Sequence, residues 1–220
     1  TPKNGFWQRF ASFVGPDTAM IFGDTGTGKS ALATAIALQA AGDGYQVRYL
    51  DSERNIPDFA IQQLKEAKVA YAYNPVWSAI RGICHSPGEV DLFVLDSLAA
   101  PIMSQFARLS MKKRGDALLE AIAAMADLKE WAYRRQAVAL VISQPQSELA
   151  LEENESRNEL RPIAPKSLFF VKEILKTDIQ KGAPSKVTAW SWRSRSVAYK
   201  TPIIEAFIGD KGVILEWKLQ

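Results

Sequence analysis

The sequence is short of the residues that build disulfides and metal cages. It has one cysteine, Cys84, and one histidine, His85, in 220 residues. A single thiol excludes an internal disulfide and suits a reducing compartment. One Cys and one His cannot assemble a typical zinc site, so Cys84 reads as a buried structural thiol and His85 as a loop residue. No run of about 18 apolar residues occurs, which leaves no helical membrane span, and no signal-peptide pattern is visible at the start. The expected setting is cytoplasmic, with no membrane partner. No internal repeat or low-complexity tract is present. Acidic residues are missing from Ile179 to Ile204, where Lys181, Lys186, Arg193, Arg195 and Lys200 stand. Glu148, Glu152, Glu153, Glu155 and Glu159 form a separate acidic stretch. The net charge of +3 leans only weakly toward anionic partners.

What is present is a phosphate-binding pattern. Gly23-Asp24-Thr25-Gly26-Thr27-Gly28-Lys29-Ser30 fits G-x-x-x-x-G-K-[ST], the P-loop. Its glycines let the backbone turn tightly and aim N–H groups at phosphate oxygens. Lys29 can reach the outer phosphates and the Ser30 hydroxyl can hold Mg²⁺. The following helix, starting at Ala31, points its positive end at the same anion. Context supports the pattern: the apolar run Thr18–Phe22 reads as a buried strand before it, and the Ala/Leu-rich run Ala31–Ala41 as a helix after it. ATP with Mg²⁺ is the expected ligand of residues 23 to 31.

At 47% hydrophobic and 23% charged, the chain can build one sizeable core. Residues 15–220 read as one domain, preceded by a segment, 1–14, with the character of an oligomerisation arm. There Phe6, Trp7 and Phe10 either hook onto a neighbouring subunit or cover their own sheet. Gln46–Leu50, Leu92–Leu95 and Ala137–Ile142 read as buried strands, and Pro57–Lys68 and Asp116–Arg135 as helices. This alternation predicts an α/β fold with a mainly parallel sheet and helices on both faces. Gln146–Pro165, polar and bracketed by prolines, reads as a mobile loop. Beyond it, a helix running into a strand over Ser167–Lys176, then Lys186–Arg193, Ser196–Tyr199, Ile203–Ile208 and Val213–Trp217, form short segments with turns between them, a C-terminal β-hairpin region.

Phosphate transfer also needs a second Mg²⁺ ligand and a group to orient water. Asp96 ends an apolar strand and suits the metal role, as Ser30 does from the P-loop. In a doubly wound sheet, ligands bind at that carboxyl edge. Glu53, in Asp51-Ser52-Glu53 after the second strand, is the candidate to polarise the attacking water, with Asp51 competing. Gln144 after the strand Ala137–Ile142 can contact the γ-phosphate or its water. The alternatives at these positions are a helix N-cap, a capped turn and a structural amide.

These motifs in this order resemble the RecA-like ATPase core, and among its members the RadA-type recombinases, their short paralogues and KaiC-type proteins. The resemblance implies a RecA-like P-loop NTPase that hydrolyses ATP with Lys29, Glu53 and Gln144, binds DNA in single-stranded form, and works in recombination or repair as a homo-oligomeric ring or filament. It places a first DNA-binding loop over Ala99–Gly115, with Arg108, Lys112, Lys113 and Arg114, and a second over Gln146–Lys166. Trp192-Arg193-Ser194-Arg195-Ser196 resembles the K-x-R finger that KaiC- and DnaB-like subunits push into a neighbour's nucleotide, with Arg193 and Arg195 as its arginines. The second loop departs from the recombinase pattern: it is acidic, with Ala164-Pro165-Lys166 in place of paired glycines, which fits a short paralogue or a phage- or plasmid-type ATPase better than a complete recombinase. A hexameric helicase motor and a KaiC-like regulatory module are the alternative functions. Trp190, Trp192 and Tyr199 interleave with basic residues, either as a base-stacking surface or as core.

Overall fold

The computed structural model describes residues 5–85, 88–106, 114–144, 165–209 and 212–219. Nine strands form one sheet in the order β3-β2-β4-β5-β1-β6-β7-β8-β9. They are β1 (Thr18–Phe22), β2 (Val47–Asp51), β3 (Ala70–Tyr73), β4 (Leu92–Asp96), β5 (Val138–Ser143), β6 (Glu173–Gln180), β7 (Ser185–Arg193), β8 (Pro202–Gly209) and β9 (Gly212–Trp217). Pairing is parallel from β3 through β6 and antiparallel from β6 to β9. The predicted α/β class, parallel sheet and C-terminal hairpins are all present.

Sequence explains the layering. β1, β4 and β5 are buried at every position, as continuous apolar strands covered on both faces must be. One face carries α1 (Phe6–Val14), α2 (Lys29–Gly42) and α3 (Asp58–Glu66). The other carries α4 (Trp77–His85), α5 (Ala99–Phe106), α6 (Arg114–Arg135) and a 3₁₀ turn, Pro165–Phe170. α2 is Ala-rich and buried on most of its surface, so its small side chains let it lie close to the sheet. α6 has Asp116 in its first turn and Arg134 and Arg135 in its last, matching the helix dipole at both ends.

Of the two readings of the N-terminal aromatics, α1 follows the second and covers the chain's own sheet: Trp7 and Phe10 are buried in its core, and Phe6 meets Trp217 edge-on at 6.0 Å. Other expectations need correction. His85 is the last residue of α4, not a loop residue, because the apolar pattern of Trp77, Ile80 and Cys84 has helical spacing. Cys84 is half-buried, and burial raises its thiol to about 11. Residues 99–106, expected in a loop, form α5, whose Ile102 is buried beneath the sheet. Ser196–Tyr199 makes no strand and lies in the β7–β8 connection. The expected loop Gln146–Pro165 lies outside the described residues but for Pro165. Among the described residues no helix is long and apolar enough to cross a membrane.

Phe10, fully buried, should cost about 3–5 kcal/mol when cut to alanine. Phe59→Ala, at 66% exposed, should stay within about 0.5 kcal/mol of the parent. Urea unfolding of both variants measures the contrast.

Candidate functional site

The cleft forms where the parallel strands end. β1 runs into Gly23, β2 ends at Asp51, β4 at Asp96 and β5 at Ser143. Register sets Asp51 beside Asp96 and Phe22 beside Ser143. The segments that follow these strands enclose a cleft of about 280 Å³, bordered by Gly26, Lys29, Ser30, Glu53, Asp96 and Gln144. Thr25, Gly28 and Ala31 also border it. Residues 119 positions apart in the chain, Thr25 and Gln144 at the extremes, thus line one pocket.

The P-loop is held from behind by β6. Thr27 Oγ1 lies 2.9 Å from Thr177 Oγ1, and Thr27 also donates to the Asp24 carbonyl at 2.8 Å. A Cβ on Gly23 would lie 2.5 Å from Thr177 Oγ1 and 2.8 Å from the Thr177 carbonyl, so no larger residue fits there. Gly28 caps α2 with φ +79°, and a Cβ would meet Val187 at 2.6 Å. Two of the pattern's glycines are therefore required by packing against β6 and β7, and Gly28 by its backbone shape as well.

Lys29 is buried, and its ammonium donates to the Gly23 and Asp24 carbonyls at 2.8 and 2.7 Å. Burial lowers its pKa, while Asp96, Glu53 and Asp24 act to raise it. Asp96 accepts a hydrogen bond from the Tyr49 hydroxyl at 2.8 Å and another from Ser30. Burial still pushes its carboxyl from 3.8 up to about 6. Ser30 and Asp96 thus present paired oxygen donors, the hard ligands Mg²⁺ prefers, beside a lysine suited to phosphate. The donor set fits Mg²⁺ with a nucleotide. Among the described residues no cluster of three His, Cys, Asp or Glu side chains suits a protein-only metal cage.

The two acidic candidates at the end of β2 are placed differently. Asp51 is buried and fully engaged: Oδ1 accepts from the amides of Glu53 and Arg54 at 2.9 and 2.7 Å, and Oδ2 from the Tyr71 hydroxyl at 2.9 Å. It caps a turn that projects Glu53 into the cleft. There Glu53 is held by three donors: the Ser97 hydroxyl, Gln144 Nε2 at 3.0 and 3.2 Å, and Asn55 Nδ2 at 2.6 Å. Ser52 stitches β2 to β4, donating to the Ser97 carbonyl at 2.6 Å and accepting from the Ser97 amide at 2.8 Å.

The remaining candidates lie elsewhere. Arg193 donates to the carbonyls of Leu168 and, at 2.9 Å, Val171, so it ties β7 to the 3₁₀ turn of its own chain. Arg195 is exposed and outside the cleft. Arg108, Lys112 and Lys113 fall outside the described residues, and Arg114 opens α6. Sequence reasoning missed Tyr49, Asn55 and Thr177. Tyr49 and Thr177 sit mid-strand, where such residues read as ordinary β formers, and only strand register reveals what they face.

No protein-family model matches this sequence, and no curated protein matches it. In three dimensions the chain is similar to the crystal structure of the RadB recombinase, with TM-score 0.62, covering 91% of each chain at 18% identity. The chain shares the fold of that structure. At 18% identity the likeness is one of architecture.

Asp96 yields a pH prediction. Its folded carboxyl binds a proton more tightly than the unfolded one, so its contribution to stability is complete below pH 3.8 and is lost as pH rises through 6. Two pH units at about 1.4 kcal/mol each put the loss at about 3 kcal/mol. Carboxyl ¹³C titration should find Asp96 near pH 6. In Tyr49→Phe, which loses a hydrogen bond to the charged form, it should titrate higher still.

Proposed function

We propose that this chain is a RecA-like ATPase that acts on single-stranded DNA in recombination or repair and works as an oligomer. One observation carries the reading: Glu53 is fixed by Gln144, Ser97 and Asn55 in the same cleft as Lys29, Ser30 and Asp96. A phosphate cradle alone would bind nucleotide. A carboxylate held across from it supplies what hydrolysis adds.

The roles follow from the side chains. Backbone N–H groups of residues 23 to 31 hold the phosphates, and Lys29 leaves its carbonyl partners to neutralise them. Ser30 and Asp96 would hold Mg²⁺, which would offset phosphate charge and favour the ionised form of Asp96. Glu53 orients a water and accepts its proton as the water oxygen bonds to the γ-phosphorus and the bond to the β-phosphate oxygen breaks, leaving ADP and phosphate. Gln144 shares the Glu53 carboxylate and leads into residues 145–164, so it links the state of the cleft to the second loop position. Arg195 acts in trans on a neighbour's nucleotide. Arg193, tied to its own chain, positions that strand end.

The DNA role has separate support. The structural neighbour is a recombinase, and the sequence resemblance assigns Arg108, Lys112, Lys113 and Arg114 to the first DNA-binding loop. Such contacts make binding strongly salt-dependent.

The test is the ATP turnover rate with no DNA, with single-stranded DNA and with duplex. Single-stranded DNA should raise it most, and no DNA binding at low salt would remove the DNA role. Lys29→Ala should abolish turnover, and Glu53→Gln should lower kcat by about 10²- to 10⁴-fold while leaving nucleotide bound. Parent-like turnover in Glu53→Gln would shift the base elsewhere. Lys29→Ala and Arg195→Ala should each be inactive alone and recover activity when mixed, because one subunit supplies the site and its neighbour the arginine. A mixture that stays inactive counts against the finger.

A further inference from the structure

A second pocket lies on the other side of β6 from the phosphate cradle. Thr177 faces the P-loop from one side of this strand. Its neighbours Lys176 and Asp178 must therefore face the opposite side, and there they border a cavity of about 250 Å³ with Trp190, Trp192, Tyr199 and Lys200. Two features give it a rigid wall. Trp192 is packed edge-on to Phe22, with centroids 5.1 Å apart. The β7–β8 connection is clamped to β7 by paired hydrogen bonds, Lys200 N to the Ser191 carbonyl at 2.7 Å and Ser191 N to the Thr201 carbonyl at 2.8 Å.

The outer wall is open to solvent. Tyr199 is exposed, with Lys200 Nζ at 5.4 Å from its ring centre. Among the described residues, Lys176 and Lys200 form no ion pair. The cavity thus offers aromatic faces, one carboxylate and two ammonium groups outside any ion pair among the described residues. Its chemistry suits a planar heterocycle with an N–H edge attached to an anion. Its volume is slightly below that of ordinary small-ligand pockets, which suits a single base with its phosphate outside.

We propose that this pocket receives one unpaired base of single-stranded DNA, stacked among Trp190, Trp192 and Tyr199, with Lys176 and Lys200 on the flanking phosphates. The proposal rests on the reading that the chain acts on DNA, and it adds a site on the sheet itself to the loop positions. Asp178 accepts from a base N–H. Because Thr177 and Lys176 are adjacent on β6, the base and the P-loop threonine sit on opposite faces of the same two residues.

The experiment is fluorescence anisotropy of a labelled oligothymidylate at low salt, with an abasic oligonucleotide of equal length and a duplex as further arms. Tyr199→Ala should weaken oligothymidylate binding by roughly tenfold to a hundredfold, and Tyr199→Phe should restore it. Lys176→Ala should reduce the slope of log affinity against log salt by about 0.7. The parent should bind the abasic strand and the duplex no better than Tyr199→Ala binds oligothymidylate. Trp190→Ala should behave as Tyr199→Ala does; if it fails to fold, Tyr199→Ala decides alone, since its side chain is 60% exposed. Parent-like binding by Tyr199→Ala, or equal parent affinity for abasic and base-bearing strands, overturns the pocket and leaves the DNA reading standing. A parent that binds no oligonucleotide overturns both.

Discussion

Every reactive group in the cleft hangs from the carboxyl end of a parallel strand, and the pairing of those strands fixes their spacing. Asp51, Asp96 and Ile142 lie side by side in register. Chain segments that part from these three positions must share the space above the sheet. A one-residue slip of β2 would turn Asp51 to the opposite face, and with it the turn that projects Glu53. The fully apolar faces of β1, β4 and β5 resist such a slip, since any shift would exchange two packed layers at once.

Charge is the second constraint. One buried ammonium, Lys29, faces three carboxylates, Asp24, Glu53 and Asp96. Hydrogen bonds from Tyr49 and Ser30 favour the ionised form of Asp96, yet burial outweighs them. The free site is therefore short of positive charge at its centre, and a divalent cation beside Ser30 and Asp96 would supply it.

Much of this arrangement was legible in the sequence. The P-loop pattern located its own strand and helix, and the apolar runs ending at Asp96 and Ile142 marked the strand ends that carry the site. What escaped was long-range. Asp51 and Glu53 are two residues apart with the same chemistry, and only the amides, Tyr71 and Gln144 around them separate a turn-capping carboxylate from one held in the cleft. β3 went unread because it is a mostly exposed edge strand of four residues. Arg193 read as a finger arginine, but its partners are backbone carbonyls more than twenty residues away, which no local pattern announces. Trp190 and Trp192 lie on the sheet face opposite Thr177, and their placement depended on the β6–β7 register, which shifts near Ile174.

On the proposed reading, Lys29, Ser30 and Asp96 hold a metal–nucleotide complex in front of Glu53. Equilibrium binding of ATP to the Glu53→Gln chain, with and without Mg²⁺, tests it most directly because hydrolysis no longer consumes the ligand. Binding that tightens strongly with Mg²⁺, and loses that Mg²⁺ dependence when Asp96→Asn is added, is the predicted result. ATP binding that is indifferent to Mg²⁺, or unchanged by Asp96→Asn, would contradict the account.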